Sequence, residues 1–174
     1  EHFVIHTGWP NPGVRRAIRT YGEVWERSPV PVIVHLLATR PSEVHRAAAR
    51  LSGIPGVRGV ELGFVADTEP ERALSQLEAA ADGGDLPVIA QIPFGRVGEL
   101  ASLLTDHGAD ALVLTAPPRA VLPLDVGVVD GQRVARYMRG RLYSAALFPI
   151  LLDMLSHWAD KVSVPVIACG GIAS

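Results

Sequence analysis

The sequence predicts an α/β fold built on a parallel sheet, a (β/α)8 barrel of which about five βα units are present. Three observations lead there. Short apolar or β-branched runs begin near residues 31, 57, 86, 109 and 164; stretches with helical apolar spacing separate them; and the last run stops on the pair Gly170-Gly171. Strand and helix in alternation mean a parallel sheet with right-handed crossovers. An open doubly wound sheet competes with the barrel. The leading loop, and a final strand with no helix after it, favour a barrel segment lacking roughly two strands before Glu1 and one after Ser174. Residues 1–174 are expected to form one domain, with a hairpin-like excursion near 117–144.

The elements follow in order. Residues 1–13, EHFVIHTGWPNPG, crowd turn formers around Trp9 and predict a loop. Val14, Ala17, Ile18, Tyr21 and Trp25 then recur at helical spacing, with Arg and Glu on the other face. Pro31 to Leu37 is a buried strand, and Pro41-Ser42 starts a helix to about Leu51 in which the Ser42 hydroxyl can take an orphan N–H. Gly53-Ile54-Pro55-Gly56 breaks that helix before a strand from Val57 to Val65. Thr68-Glu69-Pro70-Glu71 has the spacing of a capping box, and Ala73, Leu74, Leu77, Ala80 and Ala81 carry the buried stripe to Gly83-Gly84. Leu86 to Ile92 is a strand, Val97, Leu100, Ala101 and Leu104 mark a helix up to Gly108, and Ala109 to Thr115 is again a strand. Pro117-Pro118, Val121 to Val129 and Asp130-Gly131 read as a hairpin followed by an Arg-rich turn. Leu147, Ile150, Leu151, Met154, Leu155, Trp158 and Val162 form the clearest helix, leading into Pro165 to Ala168.

Composition narrows the function. A chain 48% hydrophobic and 20% charged is not disordered, and its apolar runs are strand-length, too short to span a bilayer. A net charge of -2 gives no basic track for nucleic acid. The single cysteine, Cys169, forms no internal disulfide, residues 1–10 lack a signal-peptide h-region, and the cytoplasm is the expected compartment. No His, Cys, Asp and Glu cluster has metal-ligand spacing. A homodimer working on a small molecule is the expected assembly.

Gly170 and Gly171 are the first candidate site. Two glycines after a buried strand let the backbone turn sharply and bring bare N–H groups to an anion at the carboxyl rim, where parallel folds hold their ligands. An ordinary strand-to-helix turn is the plain alternative. Cys169 reads as a small strand residue, Asp67 as a capping carboxylate, and His6 and His35 as hydrogen-bonded structural histidines. Arg133, Arg136, Arg139 and Arg141 read as a solvated face or an anion site, and Trp25 and Trp158 as core anchors.

Asn11-Pro12-Gly13-Val14, Glu61-Leu62, the stretch Gly140-Arg141-Leu142-Tyr143-Ser144-Ala145-Ala146-Leu147-Phe148-Pro149, and Pro165 through Ser174 resemble, in that order, the dihydroorotate dehydrogenase family. The resemblance covers most of the chain. It implies an FMN-dependent (β/α)8 barrel that passes hydride to flavin in pyrimidine synthesis. By the same resemblance, Gly140, Gly170 and Gly171 hold the flavin phosphate; Gln91, Thr115 and Gly63 contact the cofactor; and Gly8 and Trp9 lie at the substrate.

The sequence also departs from the family pattern. Ala66 stands where the family places its catalytic base, and a methyl group accepts no proton. Ile5, Gly63, Thr68 and Ala116 occupy positions where asparagines hold the pyrimidine; losing one such partner costs about 1–3 kcal/mol. Gln91 replaces a lysine, keeping a donor and losing a charge. Three readings follow: a flavin oxidoreductase with a substrate other than dihydroorotate, another phosphate-ligand barrel such as one resembling thiamine-phosphate synthases, and a non-catalytic cofactor-binding relative.

Overall fold

The computed structural model describes residues 2–5, 11–37, 40–129 and 132–172. A five-stranded parallel sheet takes β2 (Val32–Leu37), β3 (Val57–Gly63), β4 (Val88–Pro93), β5 (Ala111–Ala116) and β8 (Val166–Ala168) in that spatial order. Between them run α1 (Val14–Glu26), α2 (Pro41–Ser52), α3 (Pro70–Ala81), α4 (Val97–Asp106) and α5 (Phe148–Trp158), with α1 preceding β2. Each strand lies beside the next parallel strand in the chain, and the order never reverses. A doubly wound sheet needs such a reversal and helices on both faces. Here one face carries the core: Val60, Leu62, Val88, Ala90, Ile92, Leu112 and Leu114 are buried with Leu77, Leu100 and Leu104 of the helices. Each such leucine or isoleucine contributes about 1.5–3 kcal/mol by leaving water. The inner face, away from the helices, leaves Ile33, Leu37 and Ile167 on the two edge strands 43–54% exposed. This is a (β/α)8 barrel over part of its circumference.

Period-two burial along β2, alternating half-buried and exposed from Val32 to Leu37, shows how the pleat sorts side chains between helices and interior. Trp25 and Trp158 both pack against the core from their helices. Glycine earns its place at Gly56, whose φ is +87° and whose Cβ would run into the Trp25 carbonyl group.

A second, antiparallel sheet orders β1 (His2–Ile5), β7 (Gln132–Ser144) and β6 (Arg119–Val129). It corrects two expectations. Residues 2–5 are a strand rather than loop, because Ile5 to His2 pair with Arg141 to Ser144. The Arg-rich segment is not a turn: β7 pairs with β6 from Gln132 to Arg141, and with β1 on its other edge from Arg141 to Ser144.

Two caps also differ from the sequence reading. Glu69, not Thr68, is the N-cap of α3; the Thr68 hydroxyl accepts from the Val65 N–H at 3.1 Å, closing the loop before the helix. At α2, Arg40 is the N-cap, without a side-chain cap hydrogen bond, and Ser42 lies one residue inside the helix start at Pro41. Among the described residues no helix is long and apolar enough to cross a membrane.

Candidate functional site

The parallel ladder continues one residue past β8, with the Cys169 N–H donating to Leu114 O at 2.7 Å and the Thr115 N–H to Cys169 O at 3.1 Å. The chain then turns through two left-handed glycines, Gly170 at φ +134° and Gly171 at φ +67°. The two do different work. A Cβ on Gly171 would meet the backbone of Leu147 and Phe148, where the 3-10 turn Ala145–Leu147 passes into α5, so close packing fixes the turn there. A Cβ on Gly170 would have nothing within 4 Å among the described residues. At the carboxyl rim the Cβ side of Gly170 is thus unfilled by the described residues, whereas that of Gly171 is filled. Beneath the turn, Phe94, Thr115, Pro117, Leu151 and Cys169 close over a space of about 10 Å³, roughly one water. A ring system cannot enter there.

The inner face is polar toward the β2 edge. His35 on β2 and Glu61 on β3 are opposite each other in the ladder, and Nδ1 of His35 lies 3.0 Å from Oε1 of Glu61. Gly63 makes the pair possible, because a Cβ there would overlap Cε1 and Nε2 of the imidazole. In the tautomer with the proton on Nδ1, His35 donates to the Glu61 carboxylate and Nε2 is left as an acceptor. Gln91 on β4 faces the same side in register with Gly63. At the far edge, burial pushes the Cys169 thiol above its ordinary range and the Glu61 carboxylate adds to the shift, so the thiol stays protonated at neutral pH. Thr115 is buried between β4 and β8, beside Gly170.

The remaining candidates are spread out. Gly140 lies inside β7, paired with Ala120, and the space of its missing Cβ is filled by the Ile5 carbonyl and Val4 of β1. The part of the same stretch that packs against Gly171 is Leu147-Phe148. Ser144 caps the 3-10 turn by accepting from the Ala146 N–H at 3.1 Å. Ala66 is exposed on the loop after β3, its carbonyl accepting from Arg96 Nη1 at 2.8 Å while Arg96 Nε bonds Glu99 at 2.7 Å. Gly8, Trp9 and His6 lie outside the described residues. Asn11, Pro12 and Gly13, just after them, line a cavity of about 490 Å³ that reaches His35 and Leu37 at the edge of β2. Among the described residues no group of three metal-ligating side chains converges.

His35 is hydrogen-bonded as the sequence predicts; its pairing with Glu61 is what sequence reasoning missed. Its signal was a histidine and a glutamate at the centres of two successive apolar strands, which parallel register brings side by side.

No family model matches the chain. Curated relatives do. The chain is 28% identical over 180 residues to "Dihydroorotate dehydrogenase B (NAD(+)), catalytic subunit" of Desulforudis audaxviator, covering 95% of this chain and 57% of that protein. It is 30% identical over 156 residues to the same subunit of Geobacter metallireducens, 83% of this chain and 50% of the relative. It is 26% identical over 179 residues to that of Anoxybacillus flavithermus, 96% and 56% respectively. The chain spans about half the length of the curated relatives it matches.

Proposed function

We propose, for a chain that is a divergent relative of the dihydroorotate dehydrogenases, that it forms the flavin-holding part of an FMN-dependent oxidoreductase whose substrate is not dihydroorotate. The observation that carries this reading is the Gly170-Gly171 turn, locked on one side by α5 and open on the other. The residues fit the group: the open side admits a phosphate to main-chain N–H donors, which bind anions without needing a charged side chain. FMN, when bound, accepts hydride from a substrate carbon. Gln91 supplies an uncharged donor on the inner face, and Thr115 supports the turn from β5.

Substrate selection follows from what the inner face has lost. Ala66 cannot take a proton, and the imidazole of His35 fills the space an asparagine would need at position 63. His35 Nε2, aligned by Glu61, is the proton acceptor that this face offers instead. A cytoplasmic homodimer is the proposed state; the mass of the full-length protein in solution would test the dimer.

Heat release of any ligand from full-length protein, identified by absorbance and mass, tests the reading. FMN supports it; a ligand without a flavin band refutes it in favour of another phosphate-ligand barrel. The same two losses, at positions 63 and 66, favour a second reading, a cofactor-binding relative without turnover. Bound flavin that is photoreduced but reoxidised by no acceptor would establish it.

A further inference from the structure

We propose that the groove between the first turns of α1 and the middle of α2 is a second binding site, which takes a small anion carrying two or more phosphoryl groups. Arg15, Arg16 and Arg19 line it from α1, and Arg46 and Arg50 from α2, around a space of about 480 Å³. None of these five side chains makes a hydrogen bond or ion pair among the described residues. Glu43, the acidic residue of α2, is engaged elsewhere and lines the cavity on the other side.

Apart from Arg50, which suits the last turn of α2, helix energetics give no reason for this arrangement. Arg15 and Arg19 stand four residues apart on α1, as do Arg46 and Arg50 on α2, and like charges at that spacing repel on a helix. Moreover, α1 is charged against its own dipole. Its first turn has no acidic residue and its last turn no basic one: three arginines crowd the positive end, and Glu23 and Glu26 sit at the negative end. Gly13, the N-cap, brings no side-chain hydrogen bond to the first-turn N–H groups, and it lines the same groove. An anion there would relieve both repulsions and satisfy those donors at once.

The number and spacing of the guanidinium groups set the ligand class. One phosphate is saturated by two bidentate forks, and five forks in two rows, each about 6 Å long, suit adjoining phosphoryl groups. The groove has the volume of a small-molecule site rather than an extended track, and the chain as a whole carries a net charge of -2. That argues for a small polyphosphate and against a nucleic-acid strand.

Isothermal titration of full-length protein with pyrophosphate tests this. Pyrophosphate should bind, weaken as salt rises, and exceed inorganic phosphate in affinity at least tenfold. Arg46→Gln with Arg50→Gln should weaken it at least tenfold, with flavin content and circular dichroism unchanged, and Arg46→Lys with Arg50→Lys should fall between. Absence of binding would overturn the proposal. So would parent-like affinity when Arg15, Arg19, Arg46 and Arg50 are all Gln, which would place the anion elsewhere. Displacement of pyrophosphate by a single-stranded oligonucleotide at lower concentration would replace it with a nucleic-acid surface.

Discussion

Alanine at Gly170 and alanine at Gly171 should fail for different reasons, and the difference isolates the phosphate. At Gly171 the φ of +67° costs a residue with a Cβ about 1–2 kcal/mol. The new methyl also meets the Leu147-Phe148 backbone, which cannot rotate away, and overpacking of that kind adds about 1–3 kcal/mol. For a domain of this size the sum lowers the melting temperature by roughly 5–15 °C. Gly170→Ala carries backbone strain alone, about 1–3 kcal/mol, because nothing lies within 4 Å of the added methyl. That methyl, however, stands where a phosphate would approach. Losing one hydrogen bond to a charged group costs about 1.5–3 kcal/mol, or roughly 10- to 150-fold in affinity. Fluorescence titrations with FMN and with riboflavin, which lacks the phosphate, read this directly. Gly170→Ala should weaken FMN by that factor and leave riboflavin unchanged. Equal weakening of both, or of neither, would refute the assignment of the turn.

Three further outcomes follow from the inner face and its rim. Gly63→Asn must displace the His35 ring and break its bond to Glu61, so it should cost about 1–2 kcal/mol in urea denaturation, and most of that should vanish in a His35→Ala background. Arg96→Ala removes both the bond to the Ala66 carbonyl and that to Glu99; a loss of about 1–2 kcal/mol and faster amide exchange over 64–68 are expected, with Arg96→Lys recovering only part. The Cys169 thiol, raised by burial and then by Glu61, should be alkylated at pH 8 more slowly than a free thiol. Removing the negative charge with Glu61→Gln favours the thiolate, shifts the rate-against-pH curve to lower pH and speeds alkylation at pH 8.

Local chemistry made the parallel sheet readable. The strands expected near 57 and 164 begin at Val57 and Val166, because β-branched runs bounded by Gly and Pro need no distant partner to be recognised. What escaped was non-local. His2–Ile5 has no period of its own and becomes a strand through β7, some 140 residues away. The arginines of β7 suggest solvent, yet the backbone between them is a strand laddered with β6, since ladder pairing is set by the backbone and not by charge. Gly170 and Gly171 stood out in the sequence, but their separate roles depend on where α5 begins in space. Gly140 stood out equally; the neighbour that explains it is β1, a strand the sequence did not announce.

Diffraction from crystals of the full-length protein grown with FMN tests the central claim most directly, because phosphorus is located independently of any assumption about substrate. The account predicts the phosphate within hydrogen-bonding distance of main-chain N–H groups of the Gly170-Gly171 turn, with the ring system across the inner face toward Gln91 and His35. A phosphate bound away from that turn, or crystals without flavin at saturating FMN, would contradict it.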